Sequence, residues 1–435
     1  MGDLSPRSAF PSPPRRVAGM VMLSELRRHV LVDSRGQRAA LVDLAVDLSV
    51  GDYPVVRRVF YRRPGRPTME VAWDAIVMSD WGRGRLRVRD LQAGRAAPDA
   101  ALRRTVLLKR DVLDALVLDV ARIETMRAND LWLREEGGQV WLRAADVSPW
   151  AVLRRLGRGL LGRGAERRLV DWRDLEFLRG DPEAAHSGHD YHRRIARLPP
   201  VSIAQLATAV PYRHAAELLT LLPDPLAADT LEALPPERQL QVFETLDEDQ
   251  ALRLLSLMAP DTATDLVGRL ETEQASWFLE RLPLEQAERV LGLLRYPEDT
   301  AGGIMTNDVP VAPAWMTVGE ARVALREQIR SPDFVYYVYA VDNLETRVVQ
   351  GVLSLRDLLV GDEGQLLGEL IRRDLVTIDP LEPATEAARR VVEQHLAALP
   401  VVGRDGRLLG VVTVDAALAH VAPAAWRDRT PRIFS

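Results

Sequence analysis

The 435-residue chain contains no cysteine. Disulfides, thiolate metal sites and a cysteine nucleophile are therefore excluded. It also lacks any run approaching the ~18 uncharged apolar residues of a membrane helix. Lys109 is the one lysine among 57 basic residues, and no lysine-containing phosphate loop can be written. Serine, histidine and aspartate occur, but not at the spacings of a nucleophile and its base, so no enzyme is expected. Residues 1–16 carry Pro6, Pro11, Pro13 and Pro14 with no apolar centre. That composition excludes a signal peptide and reads as a disordered leader over 1–19. A cytoplasmic protein of about three domains, at ~150 residues each, is the expectation.

The net charge of −5 hides an asymmetry, because residues 214–299 hold 18 Asp/Glu against 6 Arg. The same stretch is periodic at twelve residues: Ala215-Leu218-Leu219-Leu222, Ala227-Thr230-Leu231-Leu234, Gln239-Val242-Phe243-Leu246 and onward to Ala287-Val290-Leu291-Leu294. Pro211, Pro223, Pro235 and Pro283 precede the first motif position by four residues, and an acid such as Glu237, Asp249, Asp261, Glu273 or Glu285 precedes it by two. Proline breaks the preceding helix, and an acid in the first turn favours the positive end of the helix dipole. Each unit is thus one short helix, unstable alone and stabilised by stacking on its neighbours.

Upstream, residues 20–100 and 101–150 read as two β-rich, barrel-like domains, with alternating runs around turns such as Asp33-Ser-Arg-Gly36 and Glu136-Gly-Gly138. Residues 151–200 read as a basic linker, with seven Arg against two acids over 151–173. Docking on the acidic repeat explains that run more simply than nucleic acid or lipid does. The linker's GxGxxG at 157–162 lacks the preceding buried strand of a dinucleotide fingerprint. Its His186, His189 and His192 are interrupted by Ser187-Gly188, so zinc is not expected there.

Downstream of Tyr296-Pro297, two units share a strand–helix–strand–strand–helix plan, at 297–362 and 363–422, followed by a tail at 423–435. Gly351-Val-Leu-Ser354 and Gly410-Val-Val-Thr413 fall at matching places. The acidic repeat over 201–296, the junction Tyr296-Pro-Glu-Asp-Thr-Ala-Gly-Gly-Ile-Met-Thr306 and these paired units together resemble the cytosolic half of MgtE-type magnesium channels. The resemblance implies a helical superhelix joined to a pair of CBS domains, and it covers about residues 200–420. The β-rich units resemble PRC-barrels, through Val32-Asp-Ser-Arg-Gly36, Leu41-Val-Asp43 and Val71-Ala-Trp-Asp-Ala-Ile76. The expected fold class is multidomain: β-barrel-like units, an all-α superhelix of short helices and an α/β CBS pair.

Two sites follow from the resemblance. Magnesium takes carboxylate oxygens, and in the channel family acids on the superhelix and the last CBS helix bind it. Here the candidates are Asp261, Asp265, Glu271 and Glu273 on the repeat, Glu298 and Asp299 at the junction, and Asp415 on the last helix. Ala416 and Ala419 replace family acids on that helix, and a solvated acidic face is the alternative reading. For AMP or ATP, the family pattern runs Gly, two apolar residues, Ser/Thr, two free residues, Asp. Gly351, Ser354 and Asp357 match it fully, whereas Gly410 and Thr413 are followed by Ala416. One competent half-site is expected. The chain is expected to lack a pore of its own and to act as a magnesium-responsive regulator, a homodimer through its CBS pair. Its expected partner is a membrane transporter at the inner membrane, and nucleic acid is not an expected partner. The rivals are a ligand-independent protein scaffold and an adenine-nucleotide-sensing adaptor.

Overall fold

A computed structural model describes residues 20–26, 29–48, 51–80, 85–97, 105–156, 167–178, 194–329 and 335–421. The leader, the GxGxxG run, the three linker histidines and the tail lie outside the described residues. The chain divides into two compact units, Met1–Pro223 and Asp224–Ser435, so the division falls inside the twelve-residue repeat.

The first unit begins with β1 (Met20–Met22), α1 (Leu23–Leu26), β2 (Val30–Val32), β3 (Arg38–Asp47), β4 (Val55–Arg62), β5 (Thr68–Ala72), β6 (Ile76–Asp80), β7 (Arg85–Val88), β8 (Arg95–Ala96) and β9 (Val106–Leu107). It continues through β10 (Leu116–Asp119), β11 (Glu124–Arg127), β12 (Asp130–Glu136), β13 (Gln139–Asp146), α2 (Pro149–Leu156), β14 (Leu169–Asp171) and β15 (Leu175–Phe177). One sheet runs in the order β1-β12-β13-β4-β3-β2-β7-β6, and a second in the order β11-β10-β15. The expected separation at residue 100 is therefore corrected. β1 pairs with β12, β9 pairs with β3, and Trp141 sits opposite Val55. The buried Asp43 carboxylate reinforces the join by accepting from the backbone N–H of Lys109 (2.9 Å) and Arg110 (3.1 Å). Burial nonetheless raises its pKa, because desolvation outweighs those bonds.

Part of the expected linker at 151–200 also pairs with the β-rich region. β14 completes the pairing of β13, and β15 that of β10. Open strand edges need such partners. The segment is a second copy of an earlier one: Val170-Asp-Trp-Arg-Asp-Leu175 repeats Val71-Ala-Trp-Asp-Ala-Ile76. In both, a strand enters a 3₁₀ turn on a buried tryptophan, Trp73 or Trp172, whose carbonyl accepts the N–H that starts the next strand. The unit ends with two helices of the repeat, α3 (Pro200–Ala209) and α4 (Tyr212–Thr220).

The second unit continues the repeat as α5 (Asp224–Glu232), α6 (Pro236–Phe243), α7 (Glu248–Leu257), α8 (Pro260–Arg269), α9 (Thr272–Arg281) and α10 (Leu284–Leu293). From Tyr212 onward the helices start every twelve residues, as the prolines and acids require. Pro235 and Pro283 occupy N-cap positions, and the Asp247 carboxylate caps α7 by accepting from Gln250 N–H at 2.8 Å. Alternate helices pack together, α5 on α7, α6 on α8 and α8 on α10. The small first motif residue permits that approach, with Ala227, Ala251, Ala263 and Ala287 all buried. Gln239 takes that place in α6 and is also buried. Its amide donates to Leu231 C=O at 3.1 Å and accepts from Arg269 Nη2 at 2.7 Å, tying three helices together.

The expected CBS pair follows as β16 (Val311–Pro313), α11 (Val318–Gln328), β17 (Tyr337–Val341), β18 (Val349–Ser354), α12 (Leu355–Val360), α13 (Leu367–Leu370), α14 (Ala384–Glu393), β19 (Ala398–Val402), β20 (Leu408–Thr413) and α15 (Val414–Val421). Val311, Tyr339, Val341, Ala398, Leu408 and Val411 form a core shared by the two sheets. The junction is laid into the second CBS unit. Ala301 N–H donates to Glu382 C=O and Gly302 N–H to Pro380 C=O, each at 2.8 Å, while Thr306 and Val411 exchange a pair of bonds at 2.9 Å. Ala301 and Met305 join Leu293 of α10 in one cluster with Ile378, Val391, Leu399 and Val412. A Cβ at Gly303 would stand 2.0 Å from Pro297 C=O.

Two outcomes are expected. Gln239→Ala restores the consensus residue and a better helix former, yet leaves Leu231 C=O and Arg269 without that amide; urea unfolding should show a loss of about 1–2 kcal/mol, and an unchanged midpoint would refute the staple. Gly303→Ala should cost about 2 kcal/mol or more through overpacking, read as a lowered midpoint in the same assay.

Candidate functional site

The matched half-site lies where β18 runs into α12. Ser354 is the N-cap of α12, and with Asp357 it forms a capping box. Asp357 Oδ2 accepts from Ser354 N–H at 2.9 Å and from its hydroxyl at 2.7 Å, while Asp357 N–H donates back to the hydroxyl at 3.1 Å. These bonds to Ser354 hold the carboxyl below the usual aspartate range. The carboxylate is thus ionised and fixed in direction, with Oδ1 outside the box. In the second unit, half of this arrangement remains: Thr413 Oγ1 accepts from Ala416 N–H at 3.2 Å. The Ala416 side chain has nothing to return. Asp415 instead lies near Tyr336, whose hydroxyl pKa is raised first by burial and then by that charge.

The two motif glycines answer to the chain itself. A Cβ at Gly351 would meet Arg372 C=O at 2.8 Å, and one at Gly410 would meet Thr306 C=O at 2.5 Å. Gly351 therefore lets the chain's own backbone at Arg372 approach, and Gly410 lets the junction approach.

The cation candidates disperse. Asp261 and Asp265 lie on α8, Glu271 is the N-cap of α9, Glu273 is in its first turn, and Asp415 is in the first turn of α15. Glu298 and Asp299 are exposed in the junction, where Asp299 C=O accepts from Ala384 N–H at 2.8 Å. Among the described residues no group of three or more metal-ligating side chains comes together. The candidates on the repeat, at the junction and on α15 therefore do not form one cluster among the described residues. Sequence spacing also missed Arg269. Burial lowers its pKa, opposed by the charges of Asp265 and Glu298 beside it. Its guanidinium donates to Asp265 C=O and to Gln239 Oε1, each at 2.7 Å.

No helix among the described residues is long and apolar enough to cross a membrane. Comparison with known proteins identifies an MgtE intracellular N domain at residues 198–299 and a CBS domain at 367–422. The magnesium transporter MgtE of Thermus thermophilus is 38% identical over 139 residues, 32% of this chain and 30% of the relative. The MgtE of Enterococcus faecalis is 37% identical over 123 residues, 28% of this chain and 27% of the relative. The chain thus spans under a third of the length of these curated relatives. The crystal structure of the cytosolic domain of the Mg2+ channel MgtE in complex with ATP matches with 31% identity and a TM-score of 0.51, over 55% of this chain and 98% of that one. The soluble part of a magnesium transporter matches with 26% identity and a TM-score of 0.50, over 55% of this chain and 94% of that one. With an MgtE intracellular N domain followed by a CBS domain, the chain is homologous over this part to the cytosolic part of MgtE transporters.

Proposed function

We propose that this chain is a ligand-responsive regulatory module of magnesium transport. The observation that carries the reading is the continuity of repeat, junction and CBS pair, with α10 and the CBS core sharing one cluster. A ligand that shifts the CBS pair would be felt by the repeat through that strap. For adenine nucleotide, the Ser354–Asp357 half-site offers a fixed, ionised carboxylate for ribose hydroxyls. For magnesium, Asp265 and Glu298 are the pair to watch, with Arg269 as the competing cation. Asp261, Glu271, Glu273, Asp299 and Asp415 would contribute field more than direct ligation. The β-rich unit would dock the partner.

Dimerisation through the CBS pair is part of the same proposal. Val323 of α11, Leu359 and Val360 of α12, Val392 of α14, and Leu418 and Val421 of α15 are exposed apolar side chains on its helices. A specific observation favours the scaffold reading: the second half-site lacks an acid at Ala416, and the cation candidates do not gather.

Equilibrium dialysis with ATP and AMP, paired with small-angle scattering in millimolar Mg2+, separates the two readings. The regulator should retain nucleotide, lose at least tenfold in affinity on Asp357→Asn, and change its radius of gyration with ligand. No retention and a ligand-blind radius would leave the scaffold. In sedimentation, the wild type should run as a dimer and Val360→Glu as a monomer; a monomeric wild type would exclude the dimer.

A further inference from the structure

An arginine stands in the turn between β17 and β18 where the matching turn has a glycine. Gly351 and Gly410 correspond, and four residues earlier Arg347 corresponds to Gly406. Both are left-handed, with φ of 53° and 77°. Glycine adopts that conformation freely, whereas an arginine is strained there. The turn enforces the strain. Asp342 accepts from Asn343 N–H (2.7 Å), Val348 N–H (2.8 Å) and Thr346 Oγ1 (2.6 Å). Asn343 Oδ1 accepts from the N–H groups of Glu345 and Thr346, each at 2.9 Å. Strain held by this many bonds is the kind that marks a functional position.

The surroundings say what that function is. Val348 and Arg407 form an antiparallel bridge, and Leu408 N–H donates to Arg347 C=O at 2.9 Å. The two turns are therefore locked side by side. Arg289 of α10, whose charge is felt at Arg347, is itself paired with Asp308 and Glu285, each at 2.7 Å. Among the described residues, no carboxylate pairs with the guanidinium of Arg347 or of Arg407. Burial lowers the pKa of Arg347, and the charges of Arg407 and Arg289 lower it further. Like charges held together without a counterion are unfavourable unless an anion completes them.

We propose that Arg347 and Arg407, with Arg289 behind them, bind a phosphate-type oxyanion, free inorganic phosphate in particular. Guanidinium groups match the tetrahedral oxygens geometrically, and charge assistance makes such bonds strong. The site is independent of the nucleotide half-site. Arg347 lies in the turn before β18, and Ser354 ends that strand, which alone spans roughly 16 Å at ~3.3 Å per residue. Because Arg289 belongs to α10, the anion would also tighten the repeat against the CBS turns.

The test is calorimetric titration of the full chain with sodium phosphate against chloride at matched ionic strength, with thermal unfolding in parallel. The wild type should bind phosphate, and Arg347→Gly and Arg407→Ala should each weaken it at least tenfold. Without phosphate, Arg347→Gly should melt no lower than the wild type, since glycine fits the left-handed turn. ATP affinity should not change in Arg347→Gly. Equal behaviour of phosphate and chloride, or undiminished binding by both variants, would overturn the proposal. An anion-free destabilisation of Arg347→Gly would make the arginine structural. A parallel loss of ATP would assign the oxyanion to the nucleotide instead of to free phosphate.

Discussion

The burial of the junction in the second CBS unit constrains everything on either side of it. Residues 297–306 have no regular secondary structure of their own, so their backbone groups must find partners elsewhere. They find them in the Pro380–Glu382 turn, in Ala384 and in β20. Backbones can approach this closely only where side chains are missing, and that accounts for Gly302, Gly303 and Gly410 in one short region. The consequence is mechanical. α10 ends in a strap that shares the CBS core, so the last helix of the repeat cannot swing independently of β19 and β20. Any response to a ligand must be carried by this contact, not by a loose hinge.

Charge is arranged around the same corner. The repeat is acidic as a whole, yet arginines stand where helices meet one another or the junction: Arg269 donates to Gln239 Oε1, and Arg289 pairs with Asp308 at 2.7 Å. That partly buried pair exerts more force than the solvated acids on the outer faces, which are screened.

Periodicity made the repeat legible. Helix starts at 224, 236, 248, 260, 272 and 284 follow from proline and first-turn acids, because those signals act within one turn of where they are written. The CBS units were legible for a similar reason, through short apolar strands and matched Gly-to-Ser/Thr segments. The β-rich region was less so. Its strand pairings join residues about a hundred positions apart, such as Met20 with Arg134, and alternation within a strand does not name its partner. The second tryptophan turn at Trp172 was hidden by arginine-rich flanks, although its likeness to Trp73 was there to be found. Site residues were half legible. Ser354 and Asp357 fall together as the motif requires, but the reason for Gly351 lies in the packing of Ile371 and Arg372. Arg269 and Arg347 carry no motif at all and are noticed only through their neighbours.

The most direct measurement of the central claim is amide hydrogen exchange across the junction of the full chain. If the strap is part of the CBS core, the amides of Ala301, Gly302 and Thr306 should exchange only with global opening of the second unit, at the same rate as Val411 and Val412 of β20. Exchange of the three junction amides within seconds, while β20 stays protected, would contradict the account. It would make the repeat and the CBS pair two bodies on a flexible tether.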